Sequence, residues 1–180
     1  MAAEQVQNFK QVAVDQTSAQ RRCFDLRQVV HDVLFTFRPK IKHTPHCTEI
    51  DIPSGIVMDS FPGPLGQIVA NCFENALAHG FEQIEAGVFR VAAELSDPET
   101  VRLTLSDNGE GMNQDQMNRA FDPFYTTKLG RGGSGLGLSL VYNLVTGVLK
   151  GEVKLDEGPE GGQAVILHLP LRAPVTEAEA

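Results

Sequence analysis

Asn71, Asn75 and His79 recur every four residues through a stretch whose apolar positions Leu65, Ile68, Val69, Cys72, Phe73, Ala76 and Leu77 follow helical spacing after Pro64. A ridge of two amides and an imidazole therefore borders the apolar stripe of a helix that Gly80 closes, and it faces a half-buried pocket. Asparagine carbonyls are hard oxygen ligands that an octahedral magnesium ion accepts when nucleotide phosphates and water complete its shell. A solvated helix flank would show the same spacing.

Asp107-Asn108-Gly109-Glu110-Gly111 follows directly on the alternating run Val101 to Ser106. It sets a carboxylate at a strand end, with two glycines free to turn sharply, where it can accept from an exocyclic amine; a plain turn would use the same residues. Gly130-Arg131-Gly132-Gly133-Ser134-Gly135-Leu136-Gly137-Leu138 leads into a helical pattern. Backbone without side chains and a helix N-terminus together can cradle phosphates, although a flexible surface loop is the plainer alternative. The run holds a formal G-x-G-x-x-G, but Phe121-Asp122-Pro123-Phe124-Tyr125 precedes it where a dinucleotide fold needs a strand. No Gly-Lys-Ser/Thr ends it, so it is not a P-loop; Lys128 stands before the glycines and could reach a terminal phosphate from the other side. His43-x-x-His46-Cys47 falls short of a zinc pattern for want of a fourth ligand or a second pair.

These groups need elements to hold them. Leu26, Val29, Val30, Val33, Leu34 and Phe37 predict an amphipathic helix over Phe24 to Phe37, ended by Pro39. Thr48 to Ile52 and Ile56 to Met58 are strand-like between Pro45, Pro53 and Gly55, and suit a hairpin or two edge strands. Val88 to Leu95 and Val101 to Ser106 predict paired strands turning at Ser96 to Thr100, and Gln114 to Ala120 a short helical piece. A third helix starts near Gly135 and carries Leu138, Val141, Leu144, Val145 and Val148, before strands at Glu152 to Leu155 and Ala164 to Leu169. One sheet and three helices, each with a single apolar stripe, pack most economically as two layers with the helices on one sheet face.

Fifteen basic against twenty-three acidic side chains leave a net charge of -8, which repels a phosphate backbone and argues against nucleic acid as the main partner. The three cysteines are odd in number and widely spaced, and suggest neither a disulfide framework nor a dithiol metal site, so a reducing cytoplasm fits. No stretch approaches the ~18 to 20 apolar residues of a membrane span, which implies no direct membrane contact by this stretch.

In order and spacing, from roughly Phe24 to Pro170, the motifs together resemble the histidine kinase branch of the GHKL ATPases. Asn71 to Asn75 with Ala76 and His79 looks like its N box, Asp107 to Gly111 like its first glycine box and Phe121 to Phe124 like its F box. Gly133 to Leu138 looks like the second glycine box, and Gly161-Gly162 like the last. Residues 1–22 resemble the end of a dimerisation and phosphoacceptor helix or its linker, 23–172 the catalytic domain, and 173–180 a disordered tail.

The resemblance implies a Bergerat-type fold, a two-layer α/β (α+β) sandwich whose mixed, largely antiparallel sheet is covered on one face by three helices. It implies ATP and Mg2+ as cofactors, with Asn75 on the metal, Asp107 on the adenine amine, and Asn71 and His79 along the phosphates. Asn71, Glu74 and Lys128 are the catalytic candidates. Gly109, Gly111, Phe121, Thr127, Arg131, Gly133, Ser134, Gly135, Leu136, Gly137, Leu138 and Gly162 complete the nucleotide-binding set, with Gly109, Gly111, Gly135 and Gly137 bracketing a movable lid. There are two departures from the pattern: Glu74, where the family varies, and Gln163 with Ala164, where a small hydroxyl residue is common. The implied reaction moves the ATP γ-phosphoryl group to a histidine on the dimerisation and phosphoacceptor domain of a homodimeric parent, with a response regulator receiver domain downstream. An amide at Asn71 cannot take a proton, which favours transfer over hydrolysis. The expected setting is cytoplasmic, whether or not the parent is anchored in the inner membrane. An anti-sigma-type serine kinase and a nucleotide-responsive binding module are the alternatives.

Overall fold

The computed structural model describes residues 20–126, 135–158 and 160–174. β1 (Arg22–Asp25) runs into α1 (Leu26–Thr36), which begins two residues later than the spacing predicts because Asp25 caps it, its Oδ1 accepting from Gln28 N at 2.9 Å. Pro39 does not end the helical path. It occupies the first turn of a short α2 (Arg38–Ile41), where a missing N–H costs nothing.

β2 (Cys47–Asp51) and β3 (Val57–Ser60) do not form a hairpin with each other. β3 pairs antiparallel with β1, bringing buried Met58 opposite buried Phe24, and Asp59 takes a bidentate contact from Arg21, with both bonds at 2.9 Å. β2 lies at the edge of the main sheet. Its register runs parallel to β4 (Val88–Asp97) from Cys47 opposite Val88. β5 (Thr100–Asp107), β6 (Glu152–Glu157) and β7 (Gln163–Pro170) complete a five-stranded sheet in the order β2-β4-β5-β7-β6, antiparallel except for that one edge pairing.

α3 (Pro62–Asn75) starts three residues before Leu65, since Pro62 and Pro64 both fit a first turn. It then widens into a π-helical turn over Ala76–Gly80. α4 (Gln114–Arg119) carries a capping box between Asn113 and Gln116. α5 (Gly137–Asn143) also ends in a π-helical turn, Leu144–Val148.

α1, α3 and α5 cover one sheet face, as the two-layer packing requires. Their stripes meet Val91, Leu103, Leu105, Val165, Leu167 and Leu169, all buried. At the centre Phe73 stands edge-on to Phe37 with centroids 5.1 Å apart, and lies 4.9 Å from Phe89. Asp59 also fastens the chain's exit, accepting from Ala173 N at 3.0 Å. Ala173 is buried, so the packed chain continues one residue into the expected tail; residues 175–180 lie outside the described residues.

Candidate nucleotide site

Period-two alternation along β5 sends Leu103, Leu105 and then Asp107 to the helix-covered face, so the strand ends by exchanging a core position for a carboxylate. Asp107 Oδ1 accepts from Gly109 N at 2.8 Å and from Gln163 N at 3.3 Å. Burial pushes this carboxyl above the usual range, and the two backbone donors offset part of that rise. Among the described residues no donor meets Oδ2.

Glycines wall this end of the site. A Cβ on Gly109 would stand 2.7 Å from Asp107 Oδ1 and 2.6 Å from Gly80 Cα, and one on Gly158 2.9 Å from the Asp107 carbonyl oxygen. A Cβ on Gly162 would fall onto that same carbonyl. Gly111 has φ +67, and any side chain there would press on Gly161 O at 2.8 Å.

The opposite wall is α3. Asn71, Asn75 and His79 line a cavity of about 640 Å³ between helix and sheet that also reaches Asp107 and Gln163. Asn71 Nδ2 is buried with no partner. The wider turn after Asn75, closed by Phe81 N donating to Ala76 O at 2.8 Å, carries His79 past a regular ridge yet leaves it on the cavity wall. Cys72 lies between the two asparagines; burial, and secondarily the charge of Asp107, push its thiol up to about 12.

Gly135, with φ +66, joins the end of the glycine run to the aromatic segment before it. Its carbonyl accepts from Phe124 N at 2.9 Å, and a Cβ would lie 2.5 Å from Phe124 C. Phe124 itself holds φ 65, a left-handed conformation strained for an aromatic residue, and its ring is exposed.

The structure thus gathers Asn71, Glu74, Asn75, His79, Asp107, Gly111, Gly135, Gly137 and Leu138 around one cavity. Gly109 and Gly162 act one layer back, against Asp107. Phe121 is not on the lining; its ring packs on Tyr142 at 5.4 Å. Leu136 is exposed and also off the lining. Thr127, Lys128, Arg131, Gly133 and Ser134 lie outside the described residues.

Lys40, unmarked by any motif, reaches the cavity from α2, and its Nζ pairs with Glu74 at 3.0 Å. Gly80 and Gln163 also belong to the site, as a wall against Asp107 and a donor to it. His46 is used structurally, its Nδ1 accepting from Gly87 N at 2.9 Å and its ring packing on Phe81. No cluster of three or more His, Cys, Asp or Glu suited to a metal occurs among the described residues.

A helix-and-sheet sandwich enclosing such a cavity is the fold of solved histidine kinase catalytic domains. That of the histidine kinase ThkA superposes with a TM-score of 0.75 at 21% identity, covering 86% of this chain and 97% of that one. The mycobacterial sensor histidine kinase MprB gives 0.72 at 23% identity, covering 86% and 100%. Residues 62–173 match the family of histidine kinase-, DNA gyrase B-, and HSP90-like ATPases, and the chain belongs to that family.

Among its relatives, the C4-dicarboxylate transport sensor protein DctB of Pseudomonas aeruginosa is 40% identical over 105 residues, 58% of this chain and 17% of DctB. The signal transduction histidine-protein kinase BaeS of Escherichia coli is 32% identical over 127 residues, 68% of this chain and 26% of BaeS. The chain therefore spans about a quarter or less of these relatives. No helix among the described residues is long and apolar enough to cross a membrane.

Proposed function

We propose that this chain is the ATP-binding catalytic domain of a two-component sensor histidine kinase. It would bind ATP with magnesium and pass the γ-phosphoryl group to a histidine on the parent's dimerisation and phosphoacceptor domain. The observation that carries the proposal is the polarity of the two cavity walls. At the glycine-walled end the group left open is an acceptor, Asp107 Oδ2, which suits the amino group of adenine. Along α3 the amides of Asn71 and Asn75 line the cavity, and an amide nitrogen can donate to a phosphate oxygen.

Magnesium fits the residues present. Asn75 offers one hard oxygen, Oδ1, in a spot kept open by Gly137, where a Cβ would stand 3.2 Å from it. One protein ligand beside phosphate oxygens and water suits this ion, which would supply positive charge to neutralise the phosphates. Asp107 would orient the base, and Asn71 and His79 the phosphates. None of these groups needs to form a bond to phosphorus, because phosphoryl transfer is catalysed mainly by positioning and charge. An amide at Asn71 has no basic site with which to activate water, so transfer is favoured over hydrolysis. Lys128, Thr127 and Arg131 remain candidates for the triphosphate, and Glu74 for the transfer step. A response regulator receiver domain would take the phosphoryl group onward, in the cytoplasm.

Incubation with γ-labelled ATP and the parent's phosphoacceptor domain tests this. Acid-labile phosphate on a histidine of that domain is expected. Acid-stable phosphate on a serine would instead mark a serine kinase of the same superfamily, and binding without transfer would mark a nucleotide-responsive module.

A further inference from the structure

Phe37 closes α1 and stands edge-on to Phe73 of α3, with ring centroids 5.1 Å apart. That contact sets the short α2 beside α3, and Pro39 in its first turn restricts the direction it takes. From α2 the Lys40 side chain runs over the Phe37 ring, with Nζ 5.0 Å from the centroid, and ends on Glu74 Oε1 at 3.0 Å.

Glu74 follows Asn71 by three residues on α3, so the two side chains are neighbours on one helix surface, and Asn75 is next in the chain. The ammonium of Lys40 is thereby brought to the amide-lined wall of the cavity. Among the described residues Lys40 is the only lysine or arginine on the cavity lining, against four carboxylates from Glu74, Glu82, Asp107 and Glu110. In a chain with a net charge of -8, a polyphosphate is drawn to this wall by a local cation and not by the overall field.

The Lys40 to Glu74 pair is itself weakly held. The two side chains are 59% and 51% exposed, and an ion pair so open to water adds little to stability and exchanges partners at little cost. We propose that Lys40 is a phosphate-binding residue of the nucleotide site, its ammonium turning from Glu74 to the phosphate oxygens of the bound nucleotide. Its four-carbon stem gives it reach, and three N–H donors let it hold phosphate while still offsetting the Glu74 charge beside it. This assignment rests on the ATP-binding function proposed above, and it adds to that site a residue from outside its motifs.

The test titrates ATP with magnesium, and separately adenosine, into the wild type, Lys40→Met and the double variant Lys40→Met with Glu74→Gln. Methionine keeps a long apolar stem over Phe37 and removes the charge. Lys40→Met should weaken ATP by roughly three- to tenfold and leave adenosine nearly unchanged, so the preference for ATP over adenosine shrinks by that factor. A loss of folded protein would weaken both ligands equally and cancel in the ratio. The double variant should stay weak for ATP, because the phosphate contact is still missing. Full recovery of ATP affinity in the double variant would overturn the contact, since Lys40 would then act only by neutralising Glu74. An unchanged ratio in Lys40→Met, in a wild type that prefers ATP to adenosine, would overturn the role of Lys40 alone. A wild type that binds ATP no better than adenosine would overturn the placement of the phosphates along α3, and the role of Lys40 with it.

Discussion

Replacing Asp107 with asparagine isolates one oxygen atom. Oδ1 must go on accepting from Gly109 N at 2.8 Å and Gln163 N at 3.3 Å, so in the variant the amide oxygen takes that position. The NH2 group then stands where Oδ2 stood and presents hydrogens to the adenine amine, donor against donor. The loss is that of a charge-assisted hydrogen bond, about 1.5 to 3 kcal/mol, or roughly ten- to 150-fold in Kd. Titration calorimetry with ATP and magnesium measures it.

Stability should move the other way or not at all. Burial raises the folded-state pKa of Asp107, so this group favours folding below the unfolded carboxylate range and loses that contribution as pH rises through the raised value. At neutral pH the wild type therefore carries the cost of a buried charge that asparagine does not, and the Tm of Asp107→Asn should equal or exceed that of the wild type. As the pH falls toward the carboxylate range the wild type should lose ATP affinity faster than the variant, because protonation of Asp107 begins at a higher pH than for an exposed carboxylate. Equal ATP affinity in the two proteins would refute the argument, as would a variant that binds weakly only because it is less folded.

Four further substitutions or reactions probe the walls and core. Gly162→Ala sets a methyl against the Asp107 carbonyl and should weaken ATP at least tenfold, whereas Gly147→Ala has open space around it and should stabilise by up to ~1 kcal/mol in a melting experiment. Cys72, with its thiol pushed up to about 12, should be the last of the three cysteines to alkylate at pH 8, with exposed Cys23 and Cys47 reacting first by intact mass. Phe73→Ala removes a fully buried ring between Phe37 and Phe89 and should cost about 3 to 5 kcal/mol in denaturant unfolding.

What could be read from the sequence is what lies close along the chain. The Asn71, Asn75 and His79 spacing, the carboxylate that ends an alternating strand at Asp107, and the apolar stripes of α1, α3 and α5 are all local patterns, and the fold keeps them. The partners of β2 and β3 were not legible, because both pairings join segments far apart in the chain, Cys47 meeting Val88 in one and Met58 meeting Phe24 beside the Arg21 to Asp59 contact in the other. The π-helical turn after Asn75 leaves no periodicity signal in five residues. Lys40 enters the cavity from a helix with no motif of its own, and Phe121, chosen by motif, turns instead to Tyr142. Gln163 stood out only as a departure; its relation to Asp107 exists through the β5 to β7 register.

The central claim is that one cavity holds ATP with its base on Asp107 and its phosphates along α3. A crystal structure with magnesium and a non-hydrolysable ATP analogue tests that most directly. The account predicts the 6-amino nitrogen within hydrogen-bond distance of Asp107 Oδ2, a metal ion on Asn75 Oδ1, and a phosphate oxygen on Asn71 Nδ2. A nucleotide bound with its base away from Asp107, or with no phosphate contact to Asn71 or Asn75, would contradict it.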